Sequence, residues 1–202
     1  RRLHRMAVTD ELTGLANRRG IVAKADRAIA AAAHDGQPLC FLLIDLDRFK
    51  AVNDTRGHAA GDTLLTAIAG RISGALRRQD NVGRFGGEEF LAVLPGADHA
   101  SALAVAERIR AAVESAGQHV GVTTSIGIVQ YEVGEATDSL VRRADADQSG
   151  GLDRTDSAQV GSTGLGHGLL LYGAGAVAQL HLRLRPAGRA GCRQSCQPAG
   201  NG

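Results

Sequence analysis

Hydrophobic positions return every three or four residues in two stretches, 61–78 and 101–116, where Ala, Leu and Ile recur on one side. That period predicts α-helices buried along one stripe. Three shorter runs, 40–44, 90–94 and 120–129, are rich in aliphatic and β-branched residues and predict strands. Asp10 ahead of Glu11-Leu12-Thr13 is a helix-start pattern. Gly36-Gln37-Pro38 breaks the chain before the first strong strand. Helices alternating with strands predict an α/β or α+β domain with one central sheet.

The patterning stops after Ala146. Residues 147–202 hold 12 Gly in 56 positions, and 157–182 contain no Asp, Glu, Lys or Arg. The expected organisation is a domain at 1–146 followed by an irregular, disordered tail at 147–202. A frameshift or comparable gene-level rearrangement near codon 147 would account for so abrupt a change. Within the tail, 169–178 reads as a strand followed by G-x-G-x-x-A. A dinucleotide fingerprint also needs a βαβ unit and an acidic residue about 20 positions on. The 24 residues after Ala178 contain no Asp or Glu, so the match is discounted. Cys192 and Cys196 lack the second ligand pair of a zinc site.

Composition narrows the function classes. A chain of 202 residues, 44% hydrophobic and 22% charged, suits one soluble domain that buries its core without disulfides. The net charge of +2 arises entirely in the tail: 1–146 carry 18 basic and 18 acidic side chains, 147–202 carry 5 and 3. A uniformly basic nucleic-acid surface is therefore not expected. Aromatics at 3%, with no Trp, offer little for stacking single-stranded bases. Three cysteines do not make a disulfide framework, which points to a reducing, cytoplasmic setting. The start at Arg1 rather than Met reads as a fragment of a longer protein. No run of 18 apolar residues predicts a transmembrane helix. A membrane-anchored parent is compatible with this.

The chemistry is concentrated between Phe41 and Phe90. The apolar run Phe41-Leu42-Leu43-Ile44 ends in Asp45-Leu46-Asp47. Carboxylates there are either polar residues leaving the core or ligands for a hard cation such as Mg²⁺. Asn53 and Asp62 suit a purine reader, since an amide donates and accepts and a carboxylate accepts from the N–H edge of guanine. Equally, Asn53-Asp54 is a turn pattern and Asp62 a helix cap. Lys50 can neutralise a phosphate. Gly86-Gly87 between two β runs predicts a hairpin. If Glu88 and Glu89 lie on an extended strand they face opposite sides, so only one is expected to see Asp45.

Gly86-Gly87-Glu88-Glu89-Phe90 resembles the signature of the GGDEF family, the diguanylate cyclases. Asp10-x-Leu12-Thr13-Gly14-Leu15-x-Asn17-Arg18-Arg19 resembles the family's opening motif. Asp45-x-Asp47-x-Phe49-Lys50-x-x-Asn53-Asp54, continuing through Gly57-His58 to Gly61-Asp62, resembles its second. Thr124-Ser125-Ile126-Gly127-Ile128 resembles its late strand, and Arg142-Arg143-Ala144-Asp145 the start of its last helix. The agreement is ordered and covers 8–146.

The resemblance implies a fold like the palm of nucleotidyl cyclases and polymerases, a mostly antiparallel sheet flanked by helices. It implies condensation of two GTP into cyclic di-GMP by two facing protomers, each 3′-hydroxyl attacking the α-phosphate of the other GTP. Asp45 and Glu88 are then the catalytic and metal carboxylates for Mg²⁺ or Mn²⁺, with the Leu46 carbonyl and Glu89 alongside. Phe49 and Lys50 meet the β- and γ-phosphates, Asn53 and Asp62 read guanine, and Gly86 and Gly87 lie against the nucleotide. His58 either orients a substrate group or is structural. Arg77-x-x-Asp80 resembles the family's inhibitory product site, joined by Arg108 from the next helix. An upstream sensor domain is implied as the partner that supplies the input.

The sequence departs from the family in its last helix, and the domain is expected to lack that element. The usual Leu-Tyr-x-Ala-Lys-x-x-Gly-Arg continuation is absent. Its Tyr, Lys and Arg positions fall on Ser149, Leu152 and Asp156. Activity is therefore in question. The alternative is a catalytically silent module that binds GTP or cyclic di-GMP.

Overall fold

A computed structural model describes residues 8–149 and the dipeptide 179–180. The elements run α1 (Arg18–Asp35), β1 (Leu39–Asp47), α2 (Phe49–Arg56), α3 (His58–Gly74), β2 (Asn81–Arg84), β3 (Glu89–Pro95), α4 (His99–Gly117), β4 (Thr123–Gln130), α5 (Thr137–Ser149) and β5 (Gln179–Leu180). The strands form one sheet in the order β2-β3-β1-β4-β5, and every pair is antiparallel. The fold is α/β, as expected.

β1 lies at the centre because it is apolar on both faces. Alternation sends Cys40, Leu42, Ile44 and Leu46 to one side, where they pack with Phe49, Leu65, Ile68, Ile72, Ala102 and Ile109 of α2, α3 and α4. Leu39, Phe41 and Leu43 pack on the other side with Ile21 and Ala25 of α1 and Leu140 and Ala144 of α5. The second layer ends where that face of β1 turns polar, at Asp45 and Asp47, while Leu46 and Phe49 continue the first. The fold thus delivers the carboxylates to one edge of a fully covered sheet. Among the described residues, no helix is long and apolar enough to cross a membrane.

Several boundaries differ from the sequence expectation. Asp10 does not start a helix. Its carboxylate accepts from the Thr13 backbone N–H at 2.9 Å and from Thr13 Oγ1 at 2.7 Å, closing a turn. The helix begins later, at Arg18, where Asn17 caps Gly20 N–H. Asp62 does not cap α3 either. That helix starts four residues earlier, after Gly57, and stops at Gly74 rather than Arg78. The Asp80 carboxylate accepts from Arg77 N–H at 2.8 Å and holds the chain there as a loop.

The expected change of character after Ala146 does not end the last helix at that residue. α5 runs on to Ser149, with Leu140, Ala144 and Asp147 buried along one stripe. Asp147 is buried because its carboxylate accepts from the Ile128 N–H of β4 at 3.2 Å. From the tail, Gln179 and Leu180 pair with Gly127 and Ile126 as β5. Leu152, Asp156, the 169–178 run, Cys192 and Cys196 lie outside the described residues, except that β5 follows 169–178 directly.

Candidate functional site

The carboxylate corner forms where β1 meets the β2–β3 hairpin. Asp45 sits opposite Glu89 in the β1–β3 register. Leu46 N–H donates to Glu88 O at 3.3 Å, so the hairpin loop rests on the end of β1. Phe85 and Gly86 N–H groups both donate to Glu89 O, at 2.8 and 3.2 Å. The loop therefore spans Phe85 to Glu88, and Glu88 belongs to the turn rather than to β3. A Cβ on Gly86 would meet Glu89 Oε2 at 2.1 Å, so the bare backbone is what lets this carboxylate fold inward.

Of the two glutamates, only Glu89 lies on the strand, where alternation applies. The Asp45 carboxyl is pushed up to about 6, first by burial, then by the charges of Glu88, Glu89 and Asp47. The alternation argument does not reach Glu88, which stands in a bend before β3. The pooled negative charge is the test of fit for a cation. Among the described residues no three carboxylate, imidazole or thiolate side chains form a ready-made cage. Magnesium needs only one or two protein carboxylates, the rest being water and substrate oxygens. Asp45, Glu88, Glu89 and the Leu46 carbonyl fit that donor set.

Two partners that the sequence reading missed brace this corner. Arg84 donates from Nε and Nη2 to Gly87 O at 3.1 and 2.7 Å. Its Nη1 reaches Asp10 Oδ2 at 3.3 Å. Burial raises the Asp10 carboxyl, but the Thr13 donors and Arg84 outweigh it and hold it below the usual range. On the opposite side of β1, Asp47 Oδ2 accepts from Thr123 Oγ1 at 2.7 Å and Oδ1 from Ser125 Oγ at 2.8 Å. Thr124 Oγ1 donates to the Asp45 carbonyl at 2.7 Å. The signal was present, since Arg84 directly precedes the hairpin loop and Asp47 follows Asp45 at the interval of one strand face.

The next corner carries the phosphate and base candidates. Arg48 takes a left-handed conformation, φ 63°, and reverses the chain into α2. Phe49 is buried beneath this turn while Lys50 is exposed beside it. A Cβ on Gly61 would meet Asn53 Oδ1 at 2.0 Å, so the Asn53 amide lies directly on the first turns of α3. Asn53 thus lies against the helical turn that carries Asp62, and both are open to solvent, Asn53 in part. His58 is exposed at the first position of α3.

A third cluster lies beyond the far end of α3. Arg77 and Asp80 share a loop closed by Asp80 N–H to Arg77 O at 3.0 Å and by the carboxylate bond given above. Arg108 of α4 donates from Nε and Nη2 to Ala75 O at 2.9 and 2.7 Å. The fold thus gathers Arg77, Asp80 and Arg108 around one loop, apart from the carboxylates. Of the three residues standing at the missing Tyr, Lys and Arg positions, only Ser149 falls within the described helix.

Comparison with known proteins gives one answer. The family described as "Diguanylate cyclase, GGDEF domain" matches residues 7–148. Diguanylate cyclase DgcP of Pseudomonas aeruginosa is 39% identical over 144 residues, covering 69% of this chain and 22% of that protein. Response regulator PleD of Caulobacter vibrioides is 40% identical over 148 residues, covering 69% of this chain and 33% of that protein. The chain therefore spans a third or less of these two relatives' lengths. Among solved structures, the coiled coil and GGDEF domain of DgcB from Caulobacter crescentus in complex with c-di-GMP aligns with a TM-score of 0.68 at 32% identity, over 73% of this chain and 81% of that one. Diguanylate cyclase SiaD from Pseudomonas aeruginosa, in complex with its activator SiaC, aligns with a TM-score of 0.67 at 39% identity, over 72% and 58%.

Proposed function

We propose that this chain, which belongs to the GGDEF family of diguanylate cyclase domains, provides one half-site for making cyclic di-GMP and two pyrophosphates from two GTP. The observation that carries the reading is the corner where Asp45, Glu88 and Glu89 concentrate negative charge beside the Lys50 turn. A half-buried carboxyl raised to about 6, first by burial and then by its carboxylate neighbours, suits a cation-dependent phosphoryl-transfer site.

In this reading Asp62 and Asn53 accept and donate along the guanine edge. An acceptor at Asp62 selects guanine N–H groups over the acceptor N1 of adenine. Lys50 and the start of α2 neutralise the triphosphate and align its α-phosphate with a 3′-hydroxyl from the facing protomer. Glu88 takes the hydroxyl proton. The O3′–Pα bond forms, the bond from Pα to the bridging oxygen breaks, and pyrophosphate leaves with the displaced electron pair. Asp45, Glu88, Glu89 and the Leu46 carbonyl are the groups that would hold Mg²⁺ or Mn²⁺, which when bound supplies charge neutralisation at the phosphate oxygens. Two protomers must face each other, because each half-site supplies only one nucleotide.

The test is product formation by residues 1–202 fused to a dimerising coiled coil, with GTP and Mg²⁺, read by mass spectrometry. Cyclic di-GMP above a Glu88→Gln blank supports the enzyme. A second reading is favoured by the clustering of Arg77, Asp80 and Arg108 away from the carboxylates. It is a silent module that binds cyclic di-GMP. A folded dimer that makes no product yet binds cyclic di-GMP, with the binding lost in Arg77→Ala, would select it.

A further inference from the structure

Three consecutive hydroxyl residues of β4 line the end of β1, and each has a different job. Thr124 holds the Asp45 carbonyl from one face, while Thr123 and Ser125 point to the other face and divide the two oxygens of Asp47 between them. In the sheet register Ser125 stands opposite Asp45, and Thr123 opposite Asp47. Glu89, Asp45 and Ser125 thus form one cross-strand row, with Asp47 and Thr123 in the next row on the same face. β4 anchors the corner through side chains as well as backbone. The corner's described hydrogen bond to the hairpin loop, Leu46 N–H to Glu88 O, is long at 3.3 Å, whereas the three hydroxyl bonds measure 2.7 to 2.8 Å.

Immediately after Asp47, Arg48 adopts φ 63°, ψ 17°. A residue with a side chain keeps that conformation only where its surroundings over-determine it. Charge-assisted bonds from two hydroxyls to one carboxylate are short and directional enough to do so. We propose that Asp47 is a positioning residue: clasped by Thr123 and Ser125, it fixes the β1–α2 corner so that Asp45, Leu46 and Lys50 face GTP together, without itself touching cation or nucleotide. The proposal deepens the cyclase reading and rests on it for the role of the corner.

Three variants test it in the dimerised 202-residue chain: Asp47→Ala, Asp47→Asn and the double Thr123→Val/Ser125→Ala. The readouts are kcat and KM for GTP, and amide hydrogen exchange across 45–50 without nucleotide. Asp47→Ala and the double are each expected to lower kcat about 10- to 100-fold, the usual cost of removing an outer-shell partner. KM should change less than kcat, and exchange across 45–50 should quicken. Asp47→Asn is expected to recover most of both, because an amide can accept from one hydroxyl and donate to the other.

Unchanged exchange in Asp47→Ala overturns the proposal. So does a double variant equal to wild type in kcat and exchange while Asp47→Ala is inactive, since Asp47 would then act on the ligand directly. Should Asp47→Ala fail to fold, the double, which keeps strand-forming residues, decides the question. A wild-type chain that makes no product defeats the cyclase reading, and the exchange comparison still decides the clasp.

Discussion

The carboxylate corner and the arginine loop are built on opposite electrostatic plans. At the first, Asp45, Asp47, Glu88 and Glu89 crowd like charges, and burial with mutual repulsion lifts the Asp45 carboxyl to about 6. At the second, Asp80 is satisfied by Arg77 N–H, and Arg108 spends two donors on the Ala75 carbonyl. The first is unfavourable until a cation or a substrate complex relieves it. The second is content without a ligand and has cationic side chains to spare for one. The difference fits the proposed division between a cation-dependent centre and a product-binding loop.

Breaking the first plan should have the largest effect. Glu88→Gln should lower the rate of cyclic di-GMP synthesis by roughly 10³-fold, as expected for loss of the group that takes the hydroxyl proton. Initial rates by mass spectrometry check it. Residual activity within tenfold of wild type would remove Glu88 from the chemistry. Next, Asp62→Ala should raise KM for GTP roughly tenfold or more and narrow the preference over ATP, because the guanine N–H edge loses its acceptor. Competition between the two nucleotides measures it.

The arginine loop predicts a smaller and different change. Arg108→Ala should weaken inhibition by added cyclic di-GMP about tenfold, one charge-assisted contact, and leave uninhibited kcat near wild type. Product titrations distinguish this from a loss of folding. The smallest effect is one of stability. Asp45 has its folded pKa raised above the ordinary carboxylate value, so the fold loses stability as pH rises from about 4 to about 6. Asp45→Asn should therefore raise the melting temperature by roughly 2–5 °C at pH 8 and leave it unchanged at pH 4, while abolishing activity. Equal shifts at both pH values would show that Asp45 carries no such burden.

Much of this was legible in the chain. The apolar run 41–44 announced the central strand because it is buried on both faces, and the spacing of Asp45 and Gly86-Gly87 announced the corner. Periodicity missed α2 and β2, which are too short to establish a period of their own. It missed the turn at Asp10 because a carboxylate before Thr13 can cap a turn as readily as a helix, and here Gly14 N–H and Asp10 N–H close a turn with Asp10 O and Leu15 O. Alternation did not apply to Glu88 for a related reason: it holds within strands, and the loop extends one residue beyond Gly86-Gly87 at each end. The clasp on Asp47 joins residues 76 and 78 positions apart, which no local pattern can reveal.

Two glycines give the architecture an experimental trap. Gly61 and Gly86 carry no functional group, yet Asn53 and Glu89 rest where their side chains would be. Alanine at either position would oblige the end of the neighbouring polar side chain to move, so what is deleted is room rather than chemistry. The damage will surface elsewhere, in base selection for Gly61→Ala and in cation dependence for Gly86→Ala. In this molecule the placement of two polar side chains depends on volume that their glycine neighbours leave empty.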